Sequence, residues 1–426
     1  MRMADNPMLK KNMAVTGVTP HSPASTYRMT ALERRTSLSL AAIYGLRMLG
    51  LFLVLPVFAL EAAKYPGGDD PALVGLAMGI YGLSQGLLQI PFGMASDRLG
   101  RKRVIVAGLM LMAVGSFAAA LADSLMGLTI GRALQGGGAV SAAVSALLAD
   151  QTRDEVRTKA LALVGGSIAL TFAVSLILGP LLAARFGLAG LFGLTGLLAL
   201  AGAAVVIWLV PPEPPLSSSA MLRGSLAQVL RDPAMLRLDA GVFVLYAVQI
   251  AMWVAVPALL VQAGLGTEQH WWVYLPAVSG SFVVMGITLF PLERRGYLRS
   301  VFLLAIGLMA LVQLGFMAVA SAPTLGALAA LLLAYFCGFN VLEAAQPSLA
   351  TRLAPAHARG AALGVYNTLQ SFGFFAGGLV GGILVKTTGT QGLFAVCGLA
   401  SLCWLLIAWP MRAPPPRAAQ QAAKAG

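Results

Sequence analysis

Twelve apolar runs limit what this chain can fold into more than any other feature of its sequence. A membrane-spanning α-helix needs about 20 mostly apolar residues, and the chain holds twelve runs of about that length. Charged residues make up 11% of the 426 residues, whereas a soluble domain carries about 25%. We therefore predict an all-α polytopic membrane protein. Its spans, numbered 1 to 12 in chain order, are predicted at 38–61, 72–95, 104–122, 127–149, 159–184, 188–210, 238–262, 271–291, 300–320, 324–349, 360–385 and 391–410.

The basic residues are divided unevenly between the two sides of the predicted membrane. Of the 29 lysines and arginines, only Lys64, Arg185 and Lys386 fall in outer loops, and only Arg47 and Arg132 fall within spans. The positive-inside rule therefore predicts that both termini are cytoplasmic. This topology explains the net charge of +13, so we expect the lipid bilayer, and no nucleic acid, as a partner.

The two halves of the chain repeat one another. Segment 187–197, with glycines and a Leu-Phe pair at fixed spacing, returns at 389–399. Six spans per half give both halves the same orientation, as in transporters whose site lies between parallel repeats near the midplane. We predict two pseudo-symmetric six-helix bundles. The predicted parts are a disordered cytoplasmic tail (1–36), a first bundle (37–210), a cytoplasmic linker rich in proline and serine (211–237), a second bundle (238–411) and a cytoplasmic tail (412–426).

The densest charge cluster lies between spans 2 and 3, in the sequence Asp97-Arg-Leu-Gly-Arg-Lys-Arg103. Asp97 is at the carboxyl end of span 2, where a carboxylate faces the negative pole of the helix dipole and needs a compensating donor. Asp150, at the end of span 4, has the same need, and Arg101 and Arg157 are the nearby candidates. These charges can hold the two halves together on one side. The alternative is that the cations here serve only topology.

Polar side chains inside spans are costly and are functional candidates by default. Glu343 is the first candidate for a proton carrier, and the alternative is a permanent ion pair with Arg47 or Arg132. Asp239 is a second proton-coupling candidate, although its place near the cytoplasmic interface also fits an ordinary interfacial carboxylate. The candidates for a substrate cavity are Arg47, Arg132, Gln135, Gln249 and Asn340. For Arg47 and Arg132 the alternative is a purely structural role.

Several segments resemble a known transporter family. The sequences "GMASDRLGRKRV" and "GRALQGGGAV" with "DQTRDEVR" resemble the signatures of the major facilitator superfamily, and further segments are similar to its proton-coupled drug efflux group. The resemblance implies that spans 1, 4, 7 and 10 line a central cavity. It also implies a charge relay that stabilises the outward-open state, in which Asp97 contacts the beginning of span 11 and Arg101 and Asp150 complete the network.

The same resemblance covers spans 2, 5 and 11. It implies that Gly75-x-x-x-Gly79 on span 2 and the glycine row at 373, 377 and 381 on span 11 face each other, with packing inside one half as the alternative.

The efflux signature of span 5 is present as Gly179-Pro180, but the glycines that follow in that signature are replaced here by Ala183 and Ala184. One similar efflux protein carries a soluble domain after span 12. Here only 16 residues follow that span, so we expect that domain to be absent.

These observations favour a monomeric secondary transporter that exports small amphipathic or drug-like compounds in exchange for protons, in a bacterial inner membrane. The alternative is a proton-coupled importer of a small metabolite or organic anion. A membrane enzyme or receptor is disfavoured, since the chain shows no nucleophile motif and no phosphate loop. The three cysteines and three histidines have no metal-ligand spacing, so we expect no metal and no cofactor.

Overall fold

The computed structural model describes residues 29–138, 140–213, 228–354 and 359–411. In these ranges the regular structure is helical. Nine of the described helices are long and apolar enough to cross a membrane. Two of the nine are double-length, and two shorter helices together form span 4, which gives the twelve predicted spans.

The first half contains spans 1 to 6. Span 1 comprises Ala31–Val54 and Phe58–Ala62, span 2 is Pro71–Leu99 and span 3 is Arg101–Ala120. Span 4 comprises Leu125–Gly136 and Ser141–Asp150, and spans 5 and 6 share the helix Asp154–Trp208. The second half contains span 7 (Pro233–Gln262), span 8 (Trp271–Arg294), span 9 (Leu298–Val319), span 10 (Leu325–Leu353) and the helix Arg359–Ala408, which holds spans 11 and 12.

A glycine divides each double-length helix. Asp154–Trp208 has 55 residues, a length of about 80 Å at 1.5 Å per residue, which far exceeds the roughly 30 Å hydrocarbon core of a bilayer. Gly187 has φ 59° and Gly389 has φ 70°, values that a glycine adopts without the strain of a side chain. The two glycines occupy equivalent positions of the repeat, so both halves turn back between their last two spans in the same way.

Span 1 begins earlier than expected. The Thr30 hydroxyl accepts from the Glu33 backbone and the Glu33 carboxylate accepts from the Thr30 backbone, a reciprocal capping box that satisfies two free backbone donors. The helix therefore starts at Ala31, within the segment expected to be a disordered tail. Span 7 likewise starts at Pro233, within the expected linker, behind an Asp232 cap. Residues 1–28, 214–227 and 412–426 of the predicted tails and linker lie outside the described residues.

The molecule has two membrane faces, which we name by their charge. The basic face is the one at which span 1 begins and the even-numbered spans end, and it carries Arg101, Arg153 and Arg299. The opposite face carries the loops around Gly67 and Leu265. One buried cluster joins first-half residues near the opposite face, such as Leu53 and Leu176, to the core of the second half. A separate cluster holds only first-half residues near the basic face. The halves are therefore packed together toward the opposite face.

Spans 2 and 11 form the closest contact between the halves. A Cβ on Gly75 would lie 2.2 Å from the carbonyl oxygen of Gly378, and one on Gly79 would lie 2.7 Å from that of Phe375. The expected facing of Gly75 and Gly79 toward span 11 is thus observed. The row at 373, 377 and 381 instead packs on span 7 inside the second half, so the alternative is correct for that row.

Candidate functional site

A polar cluster in the first half is built around Arg47, which is 2% exposed. Its Nη1 donates to the Ser141 hydroxyl at 2.8 Å and its Nη2 donates to the Tyr81 hydroxyl at 3.0 Å. The Tyr44 hydroxyl, one turn earlier on span 1, donates to the Ser141 carbonyl oxygen at 2.8 Å. We call Tyr44, Arg47, Tyr81 and Ser141 the first-half cluster. Neutral oxygens hold its positive charge, and within the described ranges Arg47 forms no ion pair.

A second polar cluster lies in the other half and contains Glu343. The Tyr246 hydroxyl donates to Glu343 Oε2 at 2.5 Å. Gln249, one turn after Tyr246, is buried, and its Oε1 has no partner among the described residues. We call Tyr246, Gln249 and Glu343 the second-half cluster. In the part of the chain that is described, Glu343 pairs with no lysine or arginine, so a permanent ion pair with Arg47 or Arg132 is not present in this conformation.

The two clusters occupy equivalent positions of the repeat. At the spacing that relates Gly187 to Gly389, Tyr44 corresponds to Tyr246, Arg47 to Gln249 and Ser141 to Glu343. The first half thus places a cation where the second half places an amide, and a hydroxyl where the second half places a carboxylate. Sequence reasoning missed Tyr44, Tyr246 and Ser141. The conserved spacing between the copies was the signal that could have found them.

Arg132 and Gln135 pack inside the first half. Arg132 is 1% exposed and donates to the Ala77 and Met78 carbonyl oxygens at 3.2 and 2.8 Å and to Gln135 Oε1 at 3.3 Å. Its guanidinium lies 5.3 Å from the centre of the Phe58 ring, within cation–π range. These contacts fasten span 4 to span 2 and favour a structural role for Arg132 over the predicted cavity role. Asn340, also a cavity candidate, donates to the Ser281 hydroxyl at 2.6 Å.

Asp239 is more deeply buried than a residue at the interface should be. It is 1% exposed, and neither carboxyl oxygen has a hydrogen-bond partner among the described residues. This burial does not fit the ordinary interfacial carboxylate that was the alternative interpretation. An ionised group in such a place is costly unless it is paired, so Asp239 remains a candidate for binding a proton.

The charge network at the basic face forms as predicted around Arg101. Arg101 pairs with Asp97, lies 3.2 Å through Nε from Asp150 Oδ2 and donates through Nη1 to Ser96 at 2.7 Å. Arg157 donates to the carbonyl oxygens of Ala149 and Thr152 at the end of span 4. Residues 355–358, before span 11, lie outside the described residues, so the contact of Asp97 with the beginning of that span stays a prediction.

A carboxylate that sequence reasoning missed caps span 3. Glu213 Oε2 accepts from the backbone nitrogens of Arg101 and Lys102 at 2.7 and 3.2 Å, at the helix end where negative charge is favourable. Lys102 Nζ donates to the Val210 carbonyl oxygen at 2.9 Å. In the second half Arg299 donates in the same way to Trp409 and Met411. The basic motif in each half therefore ties the beginning of its third span to the end of its sixth.

The Gly179-Pro180 signature lies where span 5 meets span 1. A Cβ on Gly179 would lie 2.6 Å from the Leu53 carbonyl oxygen, so only glycine permits this backbone approach. Pro180 follows inside the helix and lacks the N–H that would bond one turn back. The pair allows a close contact between spans 5 and 1 next to the aromatic pair Phe52 and Phe172.

Comparison with known proteins agrees with this architecture. The Major Facilitator Superfamily model matches residues 40–378 and 241–426. The chain is 40% identical to the inner membrane transport protein YajR of Escherichia coli over 91% of this chain and 86% of that protein. It is 30% identical to the multidrug resistance protein MdtH of Aeromonas salmonicida over 81% of this chain and 86% of that protein. The chain belongs to the major facilitator superfamily and is a membrane-spanning transporter, not an enzyme.

Solved structures of transporters share the fold. The nucleoside transporter NupG superposes with a TM-score of 0.71 at 14% identity, covering 88% of this chain and 99% of that one. An auto-inhibited peptide transporter of the POT family gives a TM-score of 0.70 at 15% identity, covering 90% of this chain and 98% of that one. These likenesses concern the fold alone.

Proposed function

We propose that this transporter is a proton antiporter that exports small amphipathic compounds. The observation that carries the proposal is the Glu343 carboxylate, which lies within a membrane span and is held by Tyr246 at 2.5 Å without a cation among its described partners. A carboxyl group with no fixed counter-ion can bind and release a proton without breaking a salt bridge. The similarity to YajR, an inner membrane transport protein, supports transport, and the similarity to MdtH, a multidrug resistance protein, supports drug export.

The proposed cycle uses the charge difference between the two clusters. Export in exchange for protons requires that compound binding and protonation of Glu343 exclude each other. The compound binds near Arg47 and the surrounding rings while Glu343 is ionised, and it leaves at the opposite face when a proton from that side neutralises Glu343. Because Arg47 has no carboxylate partner among the described residues, neutral and anionic compounds suit this cavity better than strong cations.

Aromatic rings give the proposed cavity its affinity for flat apolar compounds. Phe172 of span 5 meets Phe336 of span 10 with ring centroids 6.2 Å apart, so this pair crosses from one half to the other. Tyr246 lies 5.2 Å from the Phe374 ring. Ligand pockets that combine such rings with a few polar groups favour amphipathic ligands.

We place the basic face in the cytoplasm of a bacterial inner membrane. The concentration of lysine and arginine at that face supports this orientation, and the similarity to YajR, an inner membrane transport protein of Escherichia coli, supports the choice of membrane. The packing toward the opposite face then corresponds to an inward-facing state of a monomer. In the opposite, outward-open state the Asp97–Arg101–Asp150 network stabilises closure of the basic face.

The test is proton movement in proteoliposomes that contain the purified protein and a trapped pH-sensitive dye. Neutral, anionic and cationic compounds are added in turn to wild type and to Glu343→Gln. The proposal predicts proton release with neutral or anionic amphipathic compounds in wild type only, and weak transport of the cation ethidium. Robust ethidium efflux that depends on Glu343 would contradict the substrate class. Proton uptake together with an organic anion would favour import.

A further inference from the structure

We propose that a cavity at the basic face of the second half binds the headgroup of an anionic phospholipid. The cavity has a volume of about 420 Å³, within the range of about 300–1,000 Å³ that is usual for ligand pockets. It lies where span 7 begins and spans 10 and 12 end, and its walls are formed by Ala234, Arg237, Leu353, Pro410 and Met411. One cation among apolar side chains suits a phosphate that is joined to a lipid.

Arg237 supplies the positive charge of this cavity. It is half-buried, and its side chain has no ion-pair or hydrogen-bond partner among the described residues. Arg352, which precedes Leu353 in the wall, is instead paired with Glu293 at 2.9 Å. A guanidinium group without a carboxylate partner can bind a phosphate group through two parallel hydrogen bonds.

The first half closes the equivalent place with its own side chains. At the spacing that relates the two halves, Arg35 corresponds to Arg237 and Leu209 corresponds to Met411. Arg35 Nε donates to the Leu209 carbonyl oxygen at 3.0 Å. This arginine therefore ties the beginning of span 1 to the end of span 6, whereas its equivalent in the second half lines an open cavity.

A second tie is also made in the first half. Gln151, the equivalent of Leu353, donates through Nε2 to the carbonyl oxygens of Pro211 and Pro212 at 3.2 and 3.0 Å. Its Oε1 accepts from the Thr36 hydroxyl at 2.9 Å. A leucine side chain has no polar atom that could form these bonds. The second half therefore leaves open a space that the first half fills with hydrogen bonds.

Arg299 holds the end of span 12 at the cavity. It donates to the carbonyl oxygens of Trp409 and Met411 at 2.7 and 2.8 Å, on either side of Pro410. The Met411 carbonyl oxygen is thus bonded to Arg299, and Arg237 is left without the acceptor that its equivalent has in the first half.

The balance of charge around the cavity favours an anion. Arg231 precedes span 7 and is exposed, so three arginines, at positions 231, 237 and 299, lie on or near the walls. The carboxylate on the same turn is that of Asp232, whose Oδ1 accepts from the Ala234 backbone as the cap of span 7. That carboxylate is directed to the helix end, where negative charge is stabilised.

The surroundings of the cavity favour a lipid as the source of the anion. On span 12, Leu406 is 73% exposed and Trp409 is 60% exposed, as expected of side chains that contact lipid tails and the headgroup region. Basic pockets between spans bind the headgroups of acidic lipids. Residues 412–426 contain three basic side chains and no aspartate or glutamate, so their charge does not suit them as the occupant.

Native mass spectrometry of the purified protein in detergent tests the proposal. Phosphatidylglycerol (anionic), phosphatidylcholine (zwitterionic) and inorganic phosphate are titrated separately. In wild type, phosphatidylglycerol should bind more tightly than phosphatidylcholine. Arg237→Gln should weaken phosphatidylglycerol binding by about tenfold or more, through loss of a charge-assisted contact. Leu353→Trp, which keeps the charge but fills part of the cavity, should weaken it as well. The matched control is Arg35→Gln, which changes the net charge equally at the repeat-equivalent position and should bind like wild type.

Three outcomes overturn the proposal. Wild-type affinity for phosphatidylglycerol in Arg237→Gln, or in Leu353→Trp if Arg237→Gln does not fold, means that the lipid binds elsewhere. An equal loss in Arg237→Gln and Arg35→Gln means that general surface charge holds the lipid. Inorganic phosphate that binds as tightly as phosphatidylglycerol means that the cavity takes a free anion. None of these outcomes bears on Glu343, because its role in transport is measured separately, by proton release in proteoliposomes.

Discussion

At the scale of single residues, the charge difference between Arg47 and Glu343 is the feature that most limits what the proposed cavity can bind. Both side chains are placed by hydrogen bonds to hydroxyl groups: Arg47 by Ser141 and Tyr81, and Glu343 by Tyr246. A tyrosine hydroxyl therefore helps to position each charged group, and either hydroxyl can be removed without removing the charge. Such variants separate the effect that the position of a charged group has on transport from the effect of the charge itself.

Removing the Tyr246 hydroxyl should impair coupling while leaving the Glu343 charge in place. A hydrogen bond to a charged group contributes about 1.5–3 kcal/mol, so Tyr246→Phe should lower proton-coupled transport at fixed pH by about tenfold or more. Dye-reported proton release in proteoliposomes measures this. Tyr274→Phe, which removes a buried hydroxyl of span 8, is the matched control. Equal activity of Tyr246→Phe and wild type would show that the contact does not matter for transport.

Replacing Arg47 by the residue found at its repeat-equivalent position should remove the preference for anions. Arg47→Gln keeps a donor for Ser141 but loses the charge. A charge-assisted contact between Arg47 and an anionic compound contributes about 1.5–3 kcal/mol, so its loss corresponds to a tenfold to hundredfold rise in the half-saturating concentration. The effect should be confined to anionic compounds. Half-saturating concentrations for one anionic and one neutral compound measure this, and equal changes for both would contradict it.

At the scale of helices, Gly100 is the residue that lets spans 2 and 3 meet. Its φ of 100° is strained for any residue with a side chain, and a Cβ would lie 2.6 Å from Glu213 Oε1. Gly100→Ala should therefore destabilise the protein by about 1–3 kcal/mol and displace the Glu213 cap. Thermal unfolding in detergent measures this. Gly364→Ala on span 11, where a Cβ meets nothing within 4 Å, should unfold close to wild type, and a similar loss in both variants would refute the explanation.

The contact of span 2 with span 11 should depend on the absence of a side chain at Gly75. Gly75→Val places methyl groups against the Gly378 backbone, so the two spans must separate and the packing toward the opposite face is lost. We expect membrane insertion without transport, and increased labelling of a cysteine introduced at Ser371 after Cys337, Cys397 and Cys403 are replaced. Gly307→Val on span 9, with nothing within 4 Å, is the control. Normal transport by Gly75→Val would show that this approach is not required.

Much of the helical architecture could be predicted from the sequence, because a span is a local property of about 20 residues. The repeat and the Arg101 network were also predictable, since each depends on short motifs. The Glu213 cap was not, because its acceptor lies 112 residues from Arg101 and only the folded chain brings them together. Arg132 was assigned to the cavity because a buried arginine suggests function. Its backbone partners on span 2 depend on packing that no local pattern shows.

At the scale of the whole molecule, an exposed ion pair joins the two halves at the opposite face. Asp70 Oδ2 lies 2.6 Å from Lys386 Nζ. The hydrogen bond from Lys386, with a further one from the Ala72 backbone, holds the pKa of Asp70 below its usual value of 3.8. The pair is therefore formed at neutral pH and is lost only as the pH falls through that lowered pKa. Because both side chains are solvent-accessible, the ion pair contributes only a little to the stability of the closed face and does not by itself keep that face closed.

Neutralising Asp70 should remove the acid sensitivity of this closure. In wild type, the distance between spin labels on the ends of spans 2 and 11 at the opposite face should widen only as the pH falls below 3.8, the usual pKa of an aspartate, because the Asp70 pKa lies below that value. In Asp70→Asn the distance distribution should be the same at acidic and neutral pH. Lys64→Gln, which removes a lysine whose described partner, Glu61, lies within the first half, should behave as wild type. Acid widening that persists in Asp70→Asn would assign it to other groups.

If Glu343 carries the proton that drives transport, its loss should separate exchange of the transported compound from net movement. A labelled compound identified in the proton-release assay is followed in proteoliposomes containing wild type or Glu343→Gln. Exchange of labelled for unlabelled compound needs only the loaded carrier to reorient, whereas net movement driven by a pH gradient needs the proton to be bound and released. Glu343→Gln is expected to keep exchange and to lose net movement. Gradient-driven net movement at the wild-type rate in Glu343→Gln would contradict it.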